Sequence, residues 1–199
     1  MFDRSLQRGL QPLLDSIAAR LQQAGLRANW LTTIGLAAAV TGGVCIASRA
    51  YGLGLCAIAI SRLADGLDGP LARLSRPTRF GAYFDSVADF AFYAAVPLGF
   101  AHAAAENARA AATLLAAIVL SSSSFLAYAA VCNTAPLTEP HSHGKGFAYS
   151  QGLAEGGETI AVYAAMCLWP GQFGPLAYAF AAICVLTAIQ RLVAARQAW

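Results

Sequence analysis

The sequence predicts an all-α polytopic membrane protein, with six transmembrane helices preceded by an N-terminal amphipathic interfacial helix. Three observations carry that prediction. Of 199 residues, 58% are hydrophobic and 12% charged, about half the ~25% charged that soluble domains carry. Mean hydropathy is +0.55. The apolar residues also fall into segments near the ~20 residues a helix needs to cross the hydrocarbon core. Net charge is +3 and the isoelectric point 8.7, which fits a basic cytoplasmic side and gives no argument for nucleic acid. Cys45, Cys56, Cys132, Cys167 and Cys184 stand singly in apolar stretches. They read as small packing residues and make no zinc or redox motif.

The first element is a helix over residues 2–24. Phe2, Leu6, Leu10, Leu13, Leu14, Ile17 and Leu21 recur at helical spacing, while Asp3, Arg4, Gln7, Arg8, Gln11 and Asp15 fill the other side. That pattern reads as a helix lying on the membrane, or as one packed on the rest of the chain. Pro12 is a candidate kink. No apolar core or cleavage site marks it as a secretory signal.

Spans follow at about residues 30–48, 51–73, 80–103, 110–132, 148–169 and 173–195. Asn29 is placed to cap the first. Arg49, the segment from His102 to Arg109, and Trp169-Pro170-Gly171 mark short connections. The longest connection, 133–147, holds His141, His143 and Lys145; both histidines read as polar loop residues. The whole chain, 1–199, reads as one domain without internal repeat. Six spans with both ends on one side place 11 of the 13 basic residues on that side. The positive-inside rule makes it cytoplasmic.

Within this apolar chain, Asp65, Asp68, Asp85 and Asp89 stand out. Members of each pair are three or four apart and share a helix face. Ser75-Arg76-Pro77-Thr78 breaks the helix between the pairs. Two antiparallel helices joined there bring the four carboxylates to matching depths, opening to the cytoplasm. Charges inside a span cost about 2.5–3.5 kcal/mol each on insertion scales, so four acids need a reason. Pairing with Arg62, Arg73, Arg76 and Arg79 is one. Cations are the better one: all-oxygen donors select Mg²⁺ or Mn²⁺ over zinc, and two metals sharing carboxylates suit phosphoryl chemistry. Gly69, Ala72 and Gly81 leave room for a bulky ligand, and Arg73 can reach a phosphate bidentately.

Asp65, Asp68, Gly69, Ala72, Arg73, Gly81, Asp85 and Asp89 closely resemble the signature of the CDP-alcohol phosphotransferase family. All eight fixed positions match. The spacer Leu74 to Phe80 has seven residues where eight is usual, a change confined to the expected turn. Asn29-Trp30-Leu31-Thr32 is similar to the family's entry to the first span, with Ala28 in place of proline.

The resemblance implies that an alcohol attacks the β-phosphorus of a CDP-linked donor and CMP leaves. It implies that Asp65, Asp68, Asp85 and Asp89 surround the metals, with Asp89 as general base. Asn29, Thr32, Asp68, Gly69, Ala72, Arg73 and Gly81 are implied to hold the CDP moiety. The donor is implied to be CDP-diacylglycerol in a bacterial inner membrane, and a homodimer is the family's frequent assembly. A soluble CDP-alcohol donor with diacylglycerol as acceptor is the alternative. The acceptor is open among glycerol 3-phosphate, inositol phosphate, serine and similar alcohols. Arg62, Lys145 and Arg191 are the cations placed to hold a phosphorylated acceptor, and Glu155 and Glu158 are placed to hold an amine or hydroxyl. A divalent-cation transporter would also need carboxylates. It would not need Gly69, Ala72, Arg73 and Gly81, and no acid lies between Asp89 and Glu106 to continue a path.

Overall fold

A computed structural model describes residues 2–75, 77–134 and 156–198. The described chain is helical throughout: α1 (Phe2–Gln23), α2 (Ala28–Ala47), α3 (Tyr51–Ser75), α4 (Arg79–Ala103), α5 (Ala108–Thr134), α6 (Gly156–Leu168) and α7 (Phe173–Ala198). The helices stand where the sequence placed them. The segments Ala28–Ala47, Ala105–Val131 and Pro170–Gln197 are long and apolar enough to cross a membrane. The helices α3 and α4 have the length, at 25 residues each, but carry the aspartates and several arginines. The described part of the fifth expected span, α6, is 13 residues.

The start of α2 corrects one expectation. Arg27 is its N-cap residue, without a side-chain capping bond, and Asn29 already lies inside the helix. Because α2 begins two residues earlier, Asn29 lies within its first turn. At α4 the cap is as the polar break suggests: Thr78 Oγ1 accepts from the Gly81 amide at 2.9 Å, satisfying one of the donors that every helix start leaves bare.

α2 packs against both α3 and α4, and α5 packs along α7. The crossing of α2 and α4 is tight. A Cβ at Gly99 would lie 2.5 Å from the Gly43 carbonyl oxygen, and one at Gly43 would lie 2.8 Å from that of Ala95. Only glycine lets the backbones meet so closely. The main core gathers on α4: Phe92, Val96 and Phe100 are buried with Tyr163 of α6 and Phe173 and Phe180 of α7. Phe100 stacks on Phe173 at 4.4 Å between centroids. The second half of α1 is docked on the bundle. Its Ala18 packs with Leu31 and Leu71, and Gln22 donates to the Leu74 carbonyl at 2.8 Å.

Candidate active site

The α3–α4 hairpin brings three of the four aspartates together. One carboxylate oxygen from each of Asp65, Asp68 and Asp85 lies within 4.8 Å of the others. At an effective dielectric near 20, ionised carboxylates at that spacing repel by roughly 3–4 kcal/mol per pair. The cluster therefore calls for cationic charge. Three hard oxygen donors at this separation fit a divalent cation of the magnesium or manganese type.

Asp89, one turn further along α4 than Asp85, is not part of this trio. Its Oδ1 accepts from Arg62 Nη1 at 2.9 Å. The same nitrogen lies 3.4 Å from Asp65 Oδ2, and Arg62 Nη2 donates to Ser61 Oγ at 3.2 Å. The guanidinium rests on the Phe92 ring, 3.8 Å from its centroid, a geometry that favours a cation. Arg62 thus belongs to the carboxylate network, one of the two roles the sequence offers it beside a place in the acceptor pocket. It balances one of four acidic charges and leaves a formal excess of three. Its i, i+3 spacing to Asp65 was a visible signal; its reach to Asp89 across the hairpin was not.

Residues flanking the trio hold it in shape. Asp68 is buried, and Thr32 Oγ1 donates to its Oδ2 at 2.7 Å. Thr32, expected to touch nucleotide, also orients a carboxylate. Asn29 Oδ1 comes within 3.2 Å of where a Cβ at Gly81 would stand, and Thr78 Oγ1 within 3.1 Å. Gly81 therefore lets α2 and the α4 cap close together. A Cβ at Gly69 would lie 3.7 Å from the Arg73 guanidinium, so Arg73 folds back beside Gly69 as the sequence suggests. Arg73 also pairs with Asp15 of α1 at 3.6 Å, both side chains more than half exposed.

The other expected acceptor residues are scattered. Glu158 opens α6. Arg191 of α7 turns to α5, donating to the Ser121 carbonyl at 2.9 Å and lying 5.5 Å from the Phe125 ring. Lys145, Glu155, His141 and His143 lie outside the described residues.

Comparison with known proteins gives the chain its relatives. The sequence model described as CDP-alcohol phosphatidyltransferase matches residues 26–190. Over 193 residues the chain is 40% identical to the inner membrane protein YnjF of Escherichia coli strain K12, covering 96% of this chain and 94% of that protein. The fold is similar to that of a phosphatidylinositol phosphate synthase, PgsA1 of Mycobacterium tuberculosis. Its structure with CDP-DAG bound gives a TM-score of 0.73 at 23% identity, covering 92% of this chain and 93% of that one. Its complex with manganese and citrate gives 0.73 at 23% identity over 91% and 88%. With a match that spans most of its length and includes the whole carboxylate hairpin, the chain belongs to the CDP-alcohol phosphatidyltransferase family, enzymes that transfer phosphate-containing groups.

Proposed function

We propose that this protein transfers a phosphatidyl group from CDP-diacylglycerol to a small alcohol, releasing CMP, in phospholipid synthesis. The observation that carries this reading is the trio of Asp65, Asp68 and Asp85 on one hairpin, with Arg73 beside Gly69 on the same helix as Asp65 and Asp68. Asp65, Asp68 and Asp85 would hold a divalent cation, with two cations and a ligand role for Asp89 as the fuller form of the proposal; bound there it would supply positive charge to the pyrophosphate and to the departing CMP. Asn29, Thr32, Gly69, Ala72, Arg73 and Gly81 line the place of the CDP moiety, Arg73 as a phosphate donor and Thr32 by keeping Asp68 aimed.

Asp89 takes the proton from the acceptor hydroxyl. Arg62 fixes its Oδ1 and leaves Oδ2 to receive that proton. The hydroxyl oxygen then bonds to the β-phosphorus, the bond from that phosphorus to the bridging oxygen breaks, and its electron pair leaves with CMP. The lipid chains call for a site within the membrane. We place six spans across a bacterial inner membrane, α1 on its surface and the hairpin opening to the cytoplasm. The six-span arrangement rests on seven helices at the expected positions. The inner-membrane placement rests on the E. coli relative, an inner membrane protein. Membership of a transferase family removes the transporter reading.

The test is CMP release from CDP-diacylglycerol by the purified full-length protein with Mg²⁺ or Mn²⁺ and a panel of alcohols. The expected result is metal-dependent CMP release with a matching phosphatidyl product. Folded protein that releases no CMP with any alcohol would overturn the reading. Turnover only with a soluble CDP-alcohol and diacylglycerol would reverse donor and acceptor.

A further inference from the structure

Among the described residues, two buried side-chain atoms lack a hydrogen-bond partner: Glu158 Oε2 and Arg62 Nε. A buried polar atom left unpaired costs about 1–3 kcal/mol, and more when charged. Such an atom on a helix facing a reaction site is a place where substrate can complete the bonding.

The depth of Glu158 follows from contacts further along its helix. Tyr163 of α6 donates its hydroxyl to the Tyr93 carbonyl of α4 at 2.7 Å. Its ring lies 5.6 Å from that of Phe92. Beyond the far end of α6, Phe173 stacks on Phe100. Advancing along α6 therefore means advancing along α4, and the two helices run the same way. Five residues back from Tyr163 is Glu158; five back from Tyr93 is Ala88, beside Asp89. Each step is about 7.5 Å along the axis. The helices α3 and α6 are in contact. So Glu158 stands on the helix next to Arg62, at the level of the proposed base and about one turn deeper than Asp85.

The charge around it decides what could bind. Arg62 is engaged by Asp89 and Asp65. Arg191 Nη1 is turned to Ser121 and Ser124. A phosphate on the acceptor would meet the Glu158 carboxylate, while the Arg62 guanidinium on the neighbouring helix is already held by two acids. Hydroxyl or ammonium donors would be attracted by that carboxylate.

Resting on the phosphatidyl-transfer reading above, we propose that Glu158 binds the acceptor. The acceptor is then an unphosphorylated alcohol that presents further hydrogen-bond donors, either a polyol or an amino alcohol. The unpaired carboxylate oxygen accepts from the group beside the attacking hydroxyl, which holds that hydroxyl at the depth of Asp89.

The experiment measures CMP release and lipid product with full-length protein, CDP-diacylglycerol and Mn²⁺ in three arms. Glycerol and inositol form one arm, serine and ethanolamine the second, and glycerol 3-phosphate and inositol phosphate the third. Expected is turnover in the first or second arm, which also tells the polyol from the amino alcohol. Glu158→Gln should raise the acceptor KM ten-fold or more, lower kcat by less than KM rises, and leave the KM for CDP-diacylglycerol within two-fold. Turnover confined to the phosphorylated arm overturns the inference and leaves phosphatidyl transfer standing. An unchanged acceptor KM in Glu158→Gln does the same. Should that variant fail to fold, Glu158→Asp keeps the charge and withdraws it by a methylene. A rise in acceptor KM there supports the inference, and none overturns it. No CMP in any arm overturns the transfer reading and this inference with it.

Discussion

The α3–α4 hairpin and the α5–α7 pair each carry an arginine inside largely apolar helices, and the surroundings answer its charge differently. Arg62 sits among carboxylates and on the Phe92 ring. Arg191 Nη1 donates to the Ser121 carbonyl and lies near the Ser121 and Ser124 hydroxyls. In the second region that nitrogen is met by neutral dipoles. In the first, one cation is outnumbered by four acids, and the shortfall is what a divalent ion makes good. A polar network whose own charges do not balance marks a candidate binding site.

The variant that separates the regions most strongly is Asp68→Asn. It removes a donor from the trio while keeping shape, and loss of several kcal/mol of transition-state stabilisation should cut kcat by about 10³-fold. Chelation of divalent ions from the wild-type protein should do as much, reversibly. CMP-release assays check both, and activity surviving both would remove the metal from the reaction.

Arg62→Met comes next. It leaves Asp65 and Asp89 without their cation; the carboxylates are about a third exposed, so the cost should lie above the ~1 kcal/mol of an exposed pair and below the ~3–5 kcal/mol of a fully buried one. Thermal unfolding in detergent should show a large fall, partly recovered by added Mg²⁺ or Mn²⁺. Arg191→Met should cost less, about 1–3 kcal/mol for the orphaned serine acceptors, with no recovery by metal. Equal losses with equal metal rescue would erase the contrast drawn between the regions.

Gly99→Ala tests the tight crossing that carries α4 against α2. Its Cβ would fall 2.5 Å from the Gly43 oxygen, and the overpacking should cost about 1–3 kcal/mol. Thr32→Val should be felt mainly through metal: loss of the bond to Asp68 should weaken metal affinity about 10-fold or more, read by titrating Mn²⁺ against activity. The smallest effect belongs to Asp15→Asn. The Asp15–Arg73 pair is more than half exposed on both sides, so stability should change by under about 1 kcal/mol.

Much of this was legible beforehand because it is local. Helix positions follow from apolar segments, and the α3–α4 turn from Pro77 and Thr78. The trio follows from i, i+3 and i, i+4 spacing on two arms of equal length. What was not legible depends on how helices rotate against one another. Asn29 was read as a cap because Asn before an apolar run usually is one; an earlier helix start moved it inside. Thr32 was read as a nucleotide contact, and only the α2–α3 packing shows it serving Asp68. Arg62 and Arg191 group in the sequence as cations near the cytoplasmic side, yet Nη1 of Arg62 meets acids and Nη1 of Arg191 meets serines.

The sequence by itself determined that this chain is a helical, strongly apolar protein with an acidic hairpin of family-defining spacing. Those properties are one-dimensional: helical period, segment length and residue chemistry suffice to read them. Tertiary structure decided which side chains share a charge. It separated Asp89 from the trio, gave Arg62 to the carboxylates, and put Glu158 at the level of Asp89 without a partner for its Oε2. Coulomb energy and hydrogen bonding act over a few ångströms, and distances that short between helices far apart in sequence are set only by how the helices pack.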